Sequence, residues 1–273
     1  MTNLENKIQN ILNLYKSKNL FKAESLTKEL LDRYPKNVFL YNLLGLIFTE
    51  QNKVDDAVKC YKNGIEIDPN YSMIYNNLGS IYQYQEKYSE AENYYKKSIK
   101  LDNKIPEPHN NLGNLYLFLN KYSDAIKSYS KATEVNPNFA VSYYNLGIVY
   151  KTIGDFEKAK KSFNLAIKLN PYFCIAHRNL SELIKYTKEN DHFTLLKKLD
   201  KDLKINDIQK TELSFALGKA YEDIKDFDNS FNYYNKGNNL RRKNITFSIN
   251  IEQKEFDNIK NVFSKKLFRK HNK

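Results

Sequence analysis

Residue types that commonly carry out chemistry are few and scattered in this chain. Its 273 residues include four histidines and two cysteines. Cys60 and Cys174 stand alone without CxxC spacing, and no histidine lies in an HExxH pattern, so neither a disulfide framework nor a zinc site is indicated. Adjacent carboxylates such as those of Asp55 and Asp56 are typical of solvated helix starts rather than of an acid–base pair. We therefore expect no catalytic residue, no bound metal and no cofactor.

Asparagine is the polar residue whose spacing is most regular. One row, with a period of 34 residues, consists of Asn77, Asn111, Asn145 and Asn179, and a second row, one place earlier in its own units, consists of Asn42, Asn76 and Asn110. An amide side chain both donates and accepts, so such a row could bind the backbone of an extended peptide regardless of its sequence. The same amides could instead bond a neighbouring helix, and both alternatives stay open.

Leucine–glycine pairs, alanine and proline also follow the 34-residue period, proline with one lapse at Asn103. The repeated positions are Leu44-Gly45, Leu78-Gly79, Leu112-Gly113 and Leu146-Gly147, then Ala23, Ala57, Ala91, Ala125 and Ala159, and Pro35, Pro69, Pro137 and Pro171. Glycine within a helix costs about 1 kcal/mol relative to alanine, so its return in phase predicts a contact too close for a Cβ. The repeat and one turn account for all eight glycines, which leaves none for a phosphate-binding loop.

Two short amphipathic helices are predicted in each repeat, because apolar residues recur three and four places apart. Asp55, Ser89 and Ser123 are expected to cap the second helix, and pairs such as Asp68-Pro69 to end it. Stacked pairs share one core, so we expect an all-α, right-handed superhelical solenoid of antiparallel helix pairs. The expected units are 4–37, 38–71, 72–105, 106–139 and 140–173, with a further helix from 174.

With these glycines, alanines and prolines, aromatic residues recur in phase, as at Tyr75, Tyr82 and Tyr95. The pattern resembles the tetratricopeptide repeat family over residues 4–190, with a degenerate helical region at 191–245 and a basic amphipathic helix at 246–273. The resemblance implies that the first helix of each unit lines a concave groove, and asparagine ladders line the groove of the related O-GlcNAc transferase superhelix. The groove residues we expect are Asn42, Asn76, Asn77, Asn110, Asn111, Asn145, Asn179, Tyr84, Phe118, Tyr144 and Arg178.

The charge of +12 is placed mostly at one end. Residues 236–273 carry 11 basic and 3 acidic side chains, whereas the blocks 71–80, 111–120 and 141–150 carry none of either. A clamp for acidic peptides needs Lys or Arg on the groove helices, and Arg178 is the first such residue. We therefore expect a peptide or protein partner and no nucleic acid. His109 and His177 fall where other repeats have tyrosine, so packing is their expected role.

No membrane span is expected, because the longest apolar stretches, such as Leu43–Phe48, are far shorter than the roughly 18 residues required. The polar start, Met1 to Asn6, does not resemble a signal peptide. Two lone cysteines suit a reducing compartment. We expect a soluble, cytoplasmic protein.

A second resemblance begins after Pro171. Residues 175–186, 215–223 and 233–242 look like the region that joins the repeats to the catalytic domain in tetratricopeptide-repeat sulfotransferases, but the PRSGT-type loop that binds PAPS in that family is absent. A stripe of Ile251, Phe256, Ile259, Val262, Phe263 and Leu267 leaves an apolar face that a catalytic domain could contact. The favoured function is a non-catalytic scaffold. The alternative is the substrate-recognition arm of a sulfotransferase whose catalytic domain is missing from this chain.

Overall fold

Residues 3–243, with Gln253 and Lys260, are described by a computed structural model, and residues 3–243 form α-helices and no β-strand. The helices are α1 (Asn3–Lys16), α2 (Leu20–Arg33), α3 (Val38–Glu50), α4 (Val54–Ile67), α5 (Ser72–Tyr84), α6 (Tyr88–Leu101), α7 (Pro106–Phe118), α8 (Tyr122–Val135), α9 (Ala140–Thr152), α10 (Phe156–Leu169), α11 (Cys174–Ser181), α12 (Asp191–Asp200), α13 (Asp207–Asp223) and α14 (Phe227–Lys243). The chain divides into two compact units, Met1–Pro171 and Tyr172–Lys273. The helix expected at 246–273 and its apolar stripe lie outside the described residues, although Gln253 and Lys260 are themselves helical.

Unit 1 consists of five helix pairs, α1–α2 through α9–α10. We call the first helix of a pair the A helix and the second the B helix. A helices begin every 34 residues from Val38, B helices every 34 residues from Val54, and each B helix also packs against the next A helix. The all-α helical solenoid that the sequence predicts is confirmed.

Each A–B pair of unit 1 from α3 onward is held together by a glycine packed against an aromatic ring. A Cβ placed on Gly113 would lie 2.6 Å from ring carbons of Tyr129, which is fully buried. The equivalent pairs are Gly45 with Tyr61, Gly79 with Tyr95 and Gly147 with Phe163. The close contact predicted from the glycine period is confirmed, and the neighbour is a ring. Because the ring fills the site, even a methyl group there would overpack it, at a cost of about 1–3 kcal/mol.

The turn from A helix to B helix has the same geometry in every pair. In the α5–α6 turn, Glu86 has a φ of 61°, its N–H donates to the carbonyl of Gln83 at 3.0 Å, and the N–H of Lys87 donates to the carbonyl of Tyr82 at 2.9 Å. These two bonds define a Schellman motif. The residues with positive φ are Lys18, Asn52, Glu86, Asn120 and Gly154 in unit 1 and Lys225 in unit 2.

The B helices end where the sequence predicts, but they begin earlier than expected. Asp68 has extended backbone dihedrals, and its carboxylate accepts from the N–H of Asn70 at 2.9 Å, so the helix ends before Pro69 as predicted. The predicted N-caps are wrong, because α4 begins at Val54 and its cap position holds Lys53, which makes no side-chain capping bond. Lys53 already closes the preceding Schellman turn, so Asp55 lies inside the first helical turn, where a carboxylate still favours the helix dipole.

Unit 2 begins with the short helix α11 and ends in a long pair, α13–α14. Phe193, Leu196 and Leu217 contribute to its core, together with other buried residues of α11 to α13. A Cβ on Gly218 would lie 2.9 Å from the Tyr234 ring, so this pair repeats the glycine–ring contact of unit 1. Among the described residues, no helix is both long and apolar enough to cross a bilayer.

Candidate interaction surface

The two asparagine rows bond to each other across successive A helices. Asn77 on α5 donates to Oδ1 of Asn42 on α3 at 2.8 Å, and Asn111 on α7 donates to Oδ1 of Asn76 at 2.9 Å. Asn145 on α9 donates to Oδ1 of Asn110 at 2.9 Å. Asn77, Asn111 and Asn145 of the first row thus each donate to the asparagine of the second row that lies 35 residues earlier. We call this set the asparagine ladder.

Burial sets the role of the asparagine ladder in the free protein. Four of the ladder residues are no more than 9% exposed, namely Asn42, Asn76, Asn77 and Asn110. A buried amide needs partners, and here the partners are the neighbouring helices. The contacts match the alternative in which asparagine bonds a neighbouring helix, while peptide binding by these side chains stays a prediction.

The fifth pair has a different residue at one of the ladder positions. Tyr144 stands where Asn42, Asn76 and Asn110 stand in their own units, and its half-buried ring lies 5.9 Å from that of Phe163 on α10. In unit 2, Asn179 donates to the carbonyl of Ile175 on its own helix at 2.9 Å.

Arg178 lies in unit 2 and is enclosed by partners. Its guanidinium is 2.9 Å from the carboxylate of Glu212 and 3.6 Å from that of Glu182, and it lies 4.8 Å from the Phe215 ring centroid. The guanidinium of Arg241 lies 4.7 Å from the centroid of the same ring. Arg178 is therefore part of a local cation–carboxylate cluster, with its charge balanced by neighbouring carboxylates.

Tyr84 and Phe118 are the expected groove residues that lie at the surface. They are 74% and 61% exposed and occupy the same repeat position, the last residue of α5 and of α7. The Tyr88 ring at the start of α6 lies 5.1 Å from that of Phe118. Two cavities adjoin these rings, of about 210 and about 220 Å³, and Tyr84 borders both.

Sequence reasoning missed the polar residues that lie next to this aromatic surface. The Tyr95 hydroxyl donates to Ser80 at 3.2 Å, and the Tyr129 hydroxyl donates to Asn114 at 2.8 Å. In the fifth pair, Phe163 has no hydroxyl. An alignment of the 34-residue repeats would have revealed this pairing of hydroxyl and polar residue. Ile148 occupies the position of Ser80 and Asn114 in the pair whose ring, Phe163, has no hydroxyl.

The three histidines in the described part of the chain make hydrogen bonds that are at least partly buried. His109 is buried with Nε2 3.4 Å from the carbonyl of Asn103, and burial lowers its pKa. In unit 2, the Tyr186 hydroxyl lies 2.8 Å from Nδ1 of His192, whose Nε2 lies 2.8 Å from Nδ1 of His177. No group of three or more His, Cys, Asp or Glu side chains among the described residues is arranged to hold a metal ion.

Family models agree with this architecture. Models of the tetratricopeptide repeat match residues 45–85 and 113–154, 72–104 and 140–173, 94–127, and 211–244. Taken together they cover 45–173 and 211–244, which is more than half of the chain. This chain is a tetratricopeptide-repeat (TPR) protein. The last match covers most of α13 and α14, so the TPR pattern is present in both units.

Solved structures show the same fold. PilF of Pseudomonas aeruginosa is 18% identical over 72% of this TPR chain and 90% of its own, with a TM-score of 0.60. TTC0263, a thermophilic TPR protein of Thermus thermophilus, is 16% identical over 66% of this chain and 97% of its own, with a TM-score of 0.57. No curated protein matches the sequence. None of these findings links the TPR protein to sulfotransferases, so that resemblance stays a prediction.

Proposed function

We propose that this TPR protein is an interaction scaffold that holds a peptide or protein partner against the A helices of unit 1 and performs no catalysis itself. The observation that carries the proposal is the exposure of Tyr84 and Phe118 at equivalent positions of successive repeats. Aromatic rings are frequent anchors of protein interfaces, because each buries a large rigid surface at a small entropic cost. A partner that covers both rings removes them from water, which contributes about 25 cal/mol per Å².

The asparagine ladder holds in place the helices that carry this surface. Its bonds fix each A helix relative to the next, so the ends of α5 and α7, where Tyr84 and Phe118 lie, are held in register. A preformed surface binds more tightly than one that must first become ordered. Half-buried Asn111 also has an amide oxygen and a second N–H beyond its bond to Asn76, which a bound backbone could use.

A pull-down with the full chain as bait tests the proposal. We expect partners captured by the wild type to be lost from the double variant Tyr84→Ala/Phe118→Ala. Phe21→Ala is the matched control, because Phe21 is an 80% exposed phenylalanine at a different repeat position. Equal capture by all three proteins would rule out this surface as the binding site.

The compartment is part of the same proposal. Cys60 and Cys174 are both buried and unpaired, and burial raises the pKa of each thiol to about 11. Unpaired thiols suit the reducing cytoplasm, where structural disulfides are rare. Fractionation of cells that produce the tagged chain tests this placement.

A further inference from the structure

The larger of the two cavities beside Tyr84 has the chemistry of a cation site. It measures about 220 Å³ and is lined by Gln83, Tyr84, Glu86, Tyr88 and Phe118, that is, by three aromatic rings, a carboxylate and an amide. Ring faces carry partial negative charge and attract ammonium and guanidinium groups. Lysine and arginine also have long apolar stems that pack on rings while the charged end reaches a carboxylate.

The charges around this cavity favour a cation supplied by a partner. No ion pair among the described residues involves Glu86, whose backbone is fixed in the Schellman turn. The neighbouring ammonium of Lys87 is engaged elsewhere, donating to Oε1 of Gln85 at 3.2 Å and lying 5.7 Å from the Tyr82 ring.

The second cavity has different chemistry. Its volume is about 210 Å³, and it is lined by Thr49, Asn52, Val54, Ser80, Ile81 and Tyr84, without a charged side chain. The methyl groups of valine and isoleucine and the Tyr84 ring offer apolar surface to an aliphatic side chain. Tyr84 therefore borders both a cavity suited to a cation and one suited to an aliphatic group.

We infer that these cavities recognise an extended peptide of the partner with an arginine or lysine and, two residues away, a leucine, isoleucine or valine. In this inference the two side chains pack on opposite faces of the Tyr84 ring, and such groups lie about 7 Å apart, because each contact is about 3.5–4.0 Å. Side chains two residues apart in an extended chain point the same way and are separated by roughly 6.6–6.8 Å. The peptide thus straddles Tyr84, with its cationic end against Glu86. This inference rests on the proposed function and specifies the partner's chemistry.

Selection of a phage-displayed random 12-residue peptide library against the full chain tests the inference. We expect the selected peptides to share Arg or Lys two places away from Leu, Ile or Val. Binding of a synthetic selected peptide should weaken about tenfold or more in Tyr84→Ala and a few-fold in Glu86→Gln, and more salt should weaken it further. Tyr84→Phe keeps the ring and should retain binding.

Matched controls separate this site from the rest of the surface. Phe21→Ala and Glu90→Gln change exposed residues of the same types outside the cavities and should leave affinity unchanged. Peptides without a basic residue, or with affinity insensitive to Tyr84→Ala and Glu86→Gln, would overturn the inference while leaving a scaffold that binds elsewhere. Recovery of no peptide at all would overturn both the inference and the proposed peptide-binding function.

Discussion

At the scale of single residues, the asparagine ladder shows how a buried polar group can specify a stacking register. A net hydrogen bond contributes only about 0.5–1.5 kcal/mol, but a buried acceptor left without its donor costs about 1–3 kcal/mol. A shift of α7 along α5 would separate the amide of Asn111 from Asn76, which is only 4% exposed. The penalty for misalignment therefore exceeds the gain from alignment.

Loss of one ladder amide should destabilise unit 1. We expect Asn111→Ala to lower the free energy of unfolding by about 1–3 kcal/mol, because Oδ1 of Asn76 stays buried without its donor. Urea denaturation measures this. Asn93→Ala, at an exposed asparagine of α6, is the control and should change stability by no more than about 0.5 kcal/mol. Additive losses in the double variant Asn76→Ala/Asn111→Ala would contradict the pairing.

The asparagine rows were visible in the sequence, but their pairing was not. A period of 34 shows that Asn77 and Asn111 are equivalent residues, and it gives no information on which atoms they meet. The bonds join residues 35 apart, one from each row, because adjacent A helices are offset by one place at their contact. Such an offset is set by packing between helices.

His192 should make stability depend on pH. Burial, and secondarily His177, lowers the His192 pKa to about 3, against about 6.5 in an unfolded chain. Between these values the unfolded state binds the proton and the folded state does not. Stability should therefore be unaffected above pH 6.5 and fall by up to about 1.4 kcal/mol per unit below it.

Urea denaturation of the wild type and His192→Gln at pH 7, 6 and 5 measures the effect. The variant lacks the titrating group, so its stability should fall less steeply. Tyr186 and His177, which bond His192, stay unchanged in both proteins. Identical slopes for the two proteins would show that His192 does not keep its low pKa.

At the scale of elements, the Schellman turns join helices by a fixed backbone shape that sequence only partly reveals. Glycine is the residue best suited to positive φ, yet of the six such positions described only Gly154 has it. The sequence signal for the turn is therefore weak. The predicted N-caps were wrong for a related reason, since the end of the turn determines where the B helix begins.

Glycine placed at a turn that lacks it should stabilise the fold. We expect Lys225→Gly to raise the free energy of unfolding of unit 2 by about 1 kcal/mol, because Lys225 has a φ of 62°. Lys225→Ala is the control, since it removes the same side chain but keeps the Cβ and should give no gain. Conversely, Gly154→Ala in unit 1 should cost about 1 kcal/mol. Thermal and urea denaturation of the three variants measure these changes.

At the scale of the whole molecule, the pairs of unit 1 form a series in which each contacts only its neighbours. The α5–α6 pair has the contact of Gly79 with the Tyr95 ring, whereas α1 and α2 contain no glycine and so lack an equivalent contact. Local opening should therefore be easiest at the first pair. Hydrogen exchange followed by mass spectrometry should show faster exchange in α1 and α2 than in α5 and α6. Equal protection throughout would indicate one all-or-none unit.

Because the ladder contacts and the glycine–ring contacts recur from α3 to α8, one of these repeats is interchangeable with its neighbour. Excision of residues 72–105 would bring Asn111 opposite Asn42 with the same bonding partners that each has now. The array can thus lengthen or shorten by gene duplication or deletion in steps of 34 codons without a redesigned interface. Each step, however, changes which surface residues become adjacent, so a change in length would also create a new binding specificity.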